Sequence, residues 1–187
     1  ILSNVEMTDP AYRKKYGIKT VVTPLLWLRA TPLEDEIIEY AEYVIETNTM
    51  PREDWKKVYL FSWAVQCFHC LGLTQALAVF LHTEFNISYR AFYERLLQFA
   101  QEYPNTLLGK ERFLTSGIVD RALQGGHWEV VIPKFGNITW PTEEATFLKL
   151  VCEKDKFCRE IKDFIKLLIQ EIRFDVLAES DEELIDD

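Results

Sequence analysis

Cys67, His69 and Cys70 fall within four residues of one another, and thiols and imidazole so grouped invite a metal or redox reading. A structural zinc needs four ligands from loops or helix ends. The remaining cysteines, Cys152 and Cys158, lie in a distant segment with no histidine beside them, so the set is incomplete. A redox C-x-x-C pair needs its first thiol at a helix N-terminus, where the thiolate is stabilised, whereas Cys67 sits more than three turns inside a helical stretch. Cys67 and Cys70 are therefore read as small apolar packing residues and His69 as a hydrogen-bonded one.

A second grouping is defined by spacing. Between Val58 and Leu71 the only polar side chains are Tyr59, Ser62, Gln66 and His69, at intervals of three, four and three. Those intervals place all four on one narrow face of a helix that is otherwise apolar all round and so buried. Buried polar groups require partners. The seam must face a polar surface of the same domain, a water-lined cavity or a neighbouring domain, and Tyr59, Ser62, Gln66 and His69 are the candidate cavity or interface residues. The chain offers no nucleophile–base set, no paired carboxylates, no glycine-rich phosphate loop, no H-E-x-x-H and no G-x-S-x-G, so no catalytic, cofactor-binding or metal-binding residue is assigned. Trp128, Phe135 and Trp140, with Lys134, concentrate aromatics near the end of the chain, either capping a core or forming a docking surface.

The elements that position these groups read as follows. Lys19–Leu28 is β-branched and apolar, a strand interrupted at Pro24. Thr31-Pro32-Leu33-Glu34 has the form of a capping box, opening an expected helix whose stripe is Leu33, Ile37, Tyr40, Ala41 and Val44 and which ends near Asn48. A central helix follows Pro51, with Glu53 and Asp54 in its first turn. Gly72 breaks it, and a further helix runs to Phe85. Together Leu60–Leu81 is apolar over 22 residues, but Ser62, Gln66, His69, Thr74 and Gln75 interrupt it, so a buried soluble pair is preferred to a membrane span. Ser88 caps a helix with Phe92, Leu96, Phe99 and Ala100 on its inner face. Another runs from Thr106 to Leu123, stopped by Gly125-Gly126. His127–Pro133 and Ile138–Trp140 pair as a small hairpin. Pro141-Thr142 opens a last helical region, hinged near Asp155, with Phe157, Ile161, Phe164, Ile165 and Leu168 inward. The fold class is mainly α, a multi-helix bundle-like domain with a small β-hairpin and a short N-terminal strand.

Composition agrees with this. The 187 residues are 48% hydrophobic and 27% charged, the balance of a folded domain with a core that needs no disulfide staples. The formal net charge of -9 is concentrated in the tail: from Phe174 to Asp187 there are seven acidic and no basic residues, leaving 23 acidic against 21 basic elsewhere. The tail is read as unstructured, and the near-neutral body offers no footprint for nucleic acid. Four cysteines without a secreted framework suit a reducing, cytoplasmic setting. The sequons at Asn86 and Asn137 carry no weight without a signal peptide. The opening on Ile1 in loop-like sequence is read as a piece of a longer protein.

Three segments resemble one family. Asn4–Val21 (NVEMTDPAYRKKYGIKTV) is similar to the late barrel segment of radical S-adenosylmethionine enzymes that carry a cobalamin-binding domain. Thr49–Trp55 (TMPREDW), continuing through Phe61-Ser62-Trp63 and Phe68–Leu73 (FHCLGL), resembles the α-helical region after that barrel. Gly125–Trp128 (GGHW) and Phe135–Pro141 (FGNITWP) resemble its closing part. The resemblance implies an Fe-S oxidoreductase or methyltransferase-like parent using a 4Fe-4S cluster, S-adenosylmethionine and, in this branch, cobalamin. The three-cysteine C-x-x-x-C-x-x-C motif and the cobalamin motif D-x-H-x-x-G are both missing, so no cofactor residue carries over. The expected division is residues 1–30 as a remnant of the barrel's end, 31–173 as a C-terminal α-helical accessory domain, and 174–187 as the acidic tail. The expected role is to pack on the catalytic barrel of the same polypeptide and shape or cover its substrate cavity, without catalysis alone. The alternative is a stand-alone α-helical protein-interaction module.

Overall fold

The computed structural model describes residues 6–30 and 37–183, with side chains described as far as Glu171. After a 3-10 turn, α1 (Pro10–Tyr16) starts on the Asp9 cap, which accepts from the Ala11 amide at 2.9 Å, and ends on Gly17 at φ +61°. Strand β1 (Lys19–Leu25) follows as expected, and pairs antiparallel with β2 (Glu39–Glu46).

That pairing overturns the helix expected to end near Asn48. The Ile37, Tyr40, Ala41, Val44 spacing fits a helical stripe, but Tyr40, Tyr43, Val44 and Ile45 are also strand formers, and β1 supplies the partner strand that makes them one. Val21 and Thr23 share a face with Tyr43 and Ala41, and Ile45 is 5% exposed against the body. The Thr31-Pro32-Leu33-Glu34 box lies outside the described residues, and the boundary drawn at residue 30 falls between the two paired strands.

Helix α2 (Arg52–Ala64) runs into a π-helical turn, Val65–Cys70, in which the Leu71 amide donates to the Gln66 carbonyl five residues back. Gly72, at φ +87°, then turns the chain into α3 (Gln75–Phe85), bent by 93° from the preceding helix. Among the described residues no single helix is long and apolar enough to cross a membrane. The α2–α3 pair is, by length and composition, but the bend interrupts it.

Helix α4 (Tyr89–Glu102) begins where Ser88 accepts from the Ala91 amide at 3.1 Å, and α5 (Leu107–Ala122) where Thr106 accepts from the Gly109 amide at 2.9 Å. The hairpin is β3 (Val130–Val131) against β4 (Thr139–Trp140), joined through a 3-10 turn at Pro133–Phe135. Helix α6 (Thr142–Cys152) and α7 (Lys154–Glu183) complete the chain, divided at Glu153 close to the expected hinge. Helix α7 continues to Glu183, into the segment read as an unstructured tail.

The main core is built from Trp63, Phe68, Phe92, Tyr93, Leu96, Phe99, Leu108, Leu150, Phe157, Phe164 and Leu168, all buried, so the inner faces read for α4 and α7 are the observed ones. Each such side chain contributes about 1.5–3 kcal/mol by leaving water. A smaller cluster of Ile45, Val119 and Leu123, flanked by Val21, Trp55, Tyr59 and Trp128, holds the β1–β2 ribbon to α2 and α5. Thr139 ties the hairpin to the chain after β1: its amide donates to the Ala30 carbonyl at 3.2 Å, its carbonyl accepts from the Arg29 amide at 2.8 Å, and its hydroxyl donates to the Trp27 carbonyl. The Arg29 guanidinium pairs with Glu144 in the first turn of α6.

Candidate functional site

The four seam residues do not act as one unit. Tyr59, on α2 one turn after Trp55, stacks on both Trp55 (5.7 Å between ring centres) and Trp128 (5.2 Å), which are themselves 5.6 Å apart, so the three rings form a triangular cluster. Trp128 meets Tyr43 of β2 edge-on, and its indole N–H donates to the buried Thr23 hydroxyl at 3.2 Å. The Tyr59 hydroxyl lies 3.5 Å from Thr142 Oγ1, at the limit of a hydrogen bond. Burial raises the Tyr59 pKa; Thr142 opposes the shift, and the carboxylates of Glu143 and Glu129 add to it. The phenol stays protonated, and either hydroxyl of the Tyr59–Thr142 pair can be the donor.

Ser62 and Gln66 are exposed and satisfy one another, the Gln66 amide donating to Ser62 Oγ at 3.0 Å. His69 is turned inward against α4, with Nδ1 2.9 Å from the hydroxyl of the buried Tyr93 and its ring edge-on to Tyr89. The π turn explains the split: one residue more per turn rotates His69 out of line with Ser62 and Gln66. Trp128 covers the smaller core cluster, and Phe135 lines a cavity described below, whereas the Trp140 indole N–H is buried without a partner among the described residues.

The cysteines divide similarly. Cys67 is fully buried, and burial, with Glu111 and Glu143 adding, pushes its thiol pKa up. Cys70 departs from its reading as a packing residue and is exposed, because it ends the π turn just before the chain reverses at Gly72. Cys152 and Cys158 are exposed on α6 and α7. No group of three His, Cys, Asp or Glu among the described residues could hold a metal ion. The described cysteines thus do not come together as the thiolate set an iron–sulfur cluster requires.

Two features lie outside the groups that the sequence picks out. Glu111 on α5, 8% exposed, accepts from Lys149 Nζ at 2.9 and 3.1 Å and from Thr146 Oγ1 at 3.1 Å, both on α6. This part-buried pair borders a cavity of about 170 Å³ between α5, the hairpin and α6. The second is the surface of the β-ribbon arm. Val22 (54% exposed), Tyr40 (64%), Trp27 (69%) and Ile37 (89%), with Leu28 and Ile38, form an apolar surface on one arm. Val22 and Tyr40 lie on the ribbon face opposite the one packed on the core. The signal was available in the strand alternation of Glu39–Glu46, had that segment been read with a period of two.

No family model matches the chain. It is 29% identical over 181 residues, 90% of its length, to the cobalamin-dependent radical SAM methyltransferase TokK of Streptomyces tokunonensis. It is 36% identical over 109 residues, 58% of its length, to the 2-(S-pantetheinyl)-carbapenam-3-carboxylate methyltransferase of Streptantibioticus cattleyicolor. The matches cover 26% and 16% of those proteins, so the chain spans about a quarter or less of the relatives it matches. These similarities support the resemblance to the C-terminal region of cobalamin-type radical S-adenosylmethionine enzymes.

Proposed function

We propose that this chain is the C-terminal accessory domain of a cobalamin-dependent radical S-adenosylmethionine methyltransferase, preceded by the end of the barrel. The observation that carries the reading is the uncovered apolar surface of the β-ribbon arm. Large exposed apolar side chains gathered on one arm, here Trp27, Ile37, Tyr40 and Val22, suit a partner. The partner proposed is the catalytic barrel of the same polypeptide.

Seated there, the domain covers the substrate cavity of the barrel. A cover that excludes water and stray hydrogen donors protects a radical intermediate, which gives a non-catalytic domain a chemical purpose. Ser62, exposed on α2, and Gln66, exposed in the π turn that follows, are available to meet the barrel, while Tyr59 and His69 fix the helical segment that carries them. The 4Fe-4S cluster, S-adenosylmethionine and cobalamin belong to the parent's other domains in this reading.

The test uses the longer protein that carries this chain, with Trp27→Ser and Tyr40→Ser together. Both side chains are exposed here, so the domain's own fold should survive. Limited proteolysis should release the domain from the variant and not from the wild type, and methyl-transfer turnover should fall at least tenfold. Unchanged proteolysis and turnover would remove the arm as the docking surface. If Gln66→Ala and His69→Ala also left turnover intact, the covering role would go with it.

A further inference from the structure

We propose that the cavity between α5, the β3–β4 hairpin and α6 binds a small zwitterion, an α-amino acid with a short apolar side chain. The inference is independent of the docking role, since none of the arm's residues lines this space. At about 170 Å³ the cavity is of a size that suits a small ligand.

The charge on the walls narrows the chemistry further. Four charged side chains line the cavity: Glu111, Lys134, Lys149 and Glu153. Glu111 and Lys149 are hydrogen-bonded to each other and neutralise one another. That leaves one ammonium and one carboxylate. Among the described residues Lys134 has no carboxylate partner, only the Phe135 ring 5.6 Å from its Nζ. Glu153 bonds there through its backbone amide, to the carbonyls of Lys149 and Leu150, and among the described residues its side chain has no cation partner.

A ligand with a carboxylate for Lys134 and an ammonium for Glu153 completes both pairs. One carrying a single charge would engage only one of these two exposed wall groups. Glu153 also stands at the C-terminus of α6, the helix end whose dipole favours a cation. Leu107, Ile132 and Leu150 supply apolar wall for a short side chain. Both ends are held on short, defined backbone, the 3-10 turn Pro133–Phe135 and the cap between α6 and α7.

The test is a titration of the purified 187-residue chain, followed by amide NMR shifts, with L-valine, 3-methylbutanoate and 2-methylpropylamine. L-Valine should give saturable shifts around Lys134 and Glu153 with a Kd of about 1 mM, the two single-charge analogues binding at least tenfold more weakly. Lys134→Ala and Glu153→Gln, both at exposed positions, should each weaken L-valine by tenfold or more without altering the melting curve. Equal binding of either analogue, no saturation by tens of millimolar L-valine, or binding untouched by both substitutions would overturn the proposal.

Discussion

Glu160 should be the most sensitive single carboxylate in the main body of this fold. It lies on α7 at 9% exposure, yet its partners belong to another helix. Its two oxygens accept from the Leu107 amide at 2.7 and 2.9 Å, and one also accepts from the Leu108 amide at 3.2 Å. These are two of the orphan amides of the first turn of α5, and Thr106 satisfies the Gly109 amide beside them. Leu108 is 1% exposed, so water cannot replace the lost acceptor there. Leaving the buried Leu108 amide unmet costs about 1–3 kcal/mol, the half-buried Leu107 amide costs less, and loss of the charge at a helix N-terminus adds roughly 0.3–2 kcal/mol. Glu160→Ala is therefore expected to destabilise by about 3 kcal/mol, and Glu160→Gln, which keeps one acceptor oxygen, by about 1 kcal/mol. At ~2–4 °C per kcal/mol for a chain of this size, the alanine variant should melt about 6–12 °C lower by circular dichroism. Urea denaturation gives the free energies directly. An alanine variant within about 0.5 kcal/mol of wild type, or a glutamine variant as damaged as the alanine, would refute the capping argument.

Two further outcomes follow from the same contacts. Glu42 takes hydrogen bonds from the Arg13 guanidinium at 2.7 and 2.8 Å and from Thr20 Oγ1 at 2.6 Å, and these lower its pKa to about 2. A lowered folded-state value means the contribution is complete above the ordinary carboxylate range and is lost as pH falls toward 2. Glu42→Gln should be about 1 kcal/mol less stable than wild type at pH 7, allowing for solvent screening, with the gap closing in acid denaturation curves between pH 4.5 and about 2. The cysteines should separate by rate: a thiol-specific disulfide reagent at pH 8 should titrate Cys70, Cys152 and Cys158 quickly, and Cys67 only at the rate of unfolding. Four equally fast thiols would contradict the burial of Cys67.

Helix α4 was legible because every local signal agreed: the Ser88 cap, the inner stripe from Phe92 to Ala100, and Pro104 beyond the end. Strand β2 was not, because Ile37, Tyr40, Ala41 and Val44 satisfy a helical period by coincidence. The competing fact, the antiparallel partner Lys19–Leu25, is non-local. The π turn has no sequence signature at all, and it alone changes the one-face seam into an exposed Ser62–Gln66 pair and an inward His69. The Trp55–Tyr59 stack is legible as an i, i+4 pair on α2, whereas the contact of both with Trp128 is not, since periodicity on one helix says nothing about a ring from a loop after α5. The Glu111–Lys149 pair joins two helices and is likewise invisible before they pack.

The stitch around Thr139 has a mechanical consequence for the exposed arm. Trp27 presents its ring outward, yet its carbonyl is gripped by the Thr139 hydroxyl, and two residues later Arg29 grips Glu144 at the root of α6. Load applied to that indole passes through one short stretch of backbone into the hairpin and the helix behind it. Whatever seats on the ribbon thus also pulls on α6, from which Lys149 and Leu150 face the small cavity, so the two surfaces are levers of one frame.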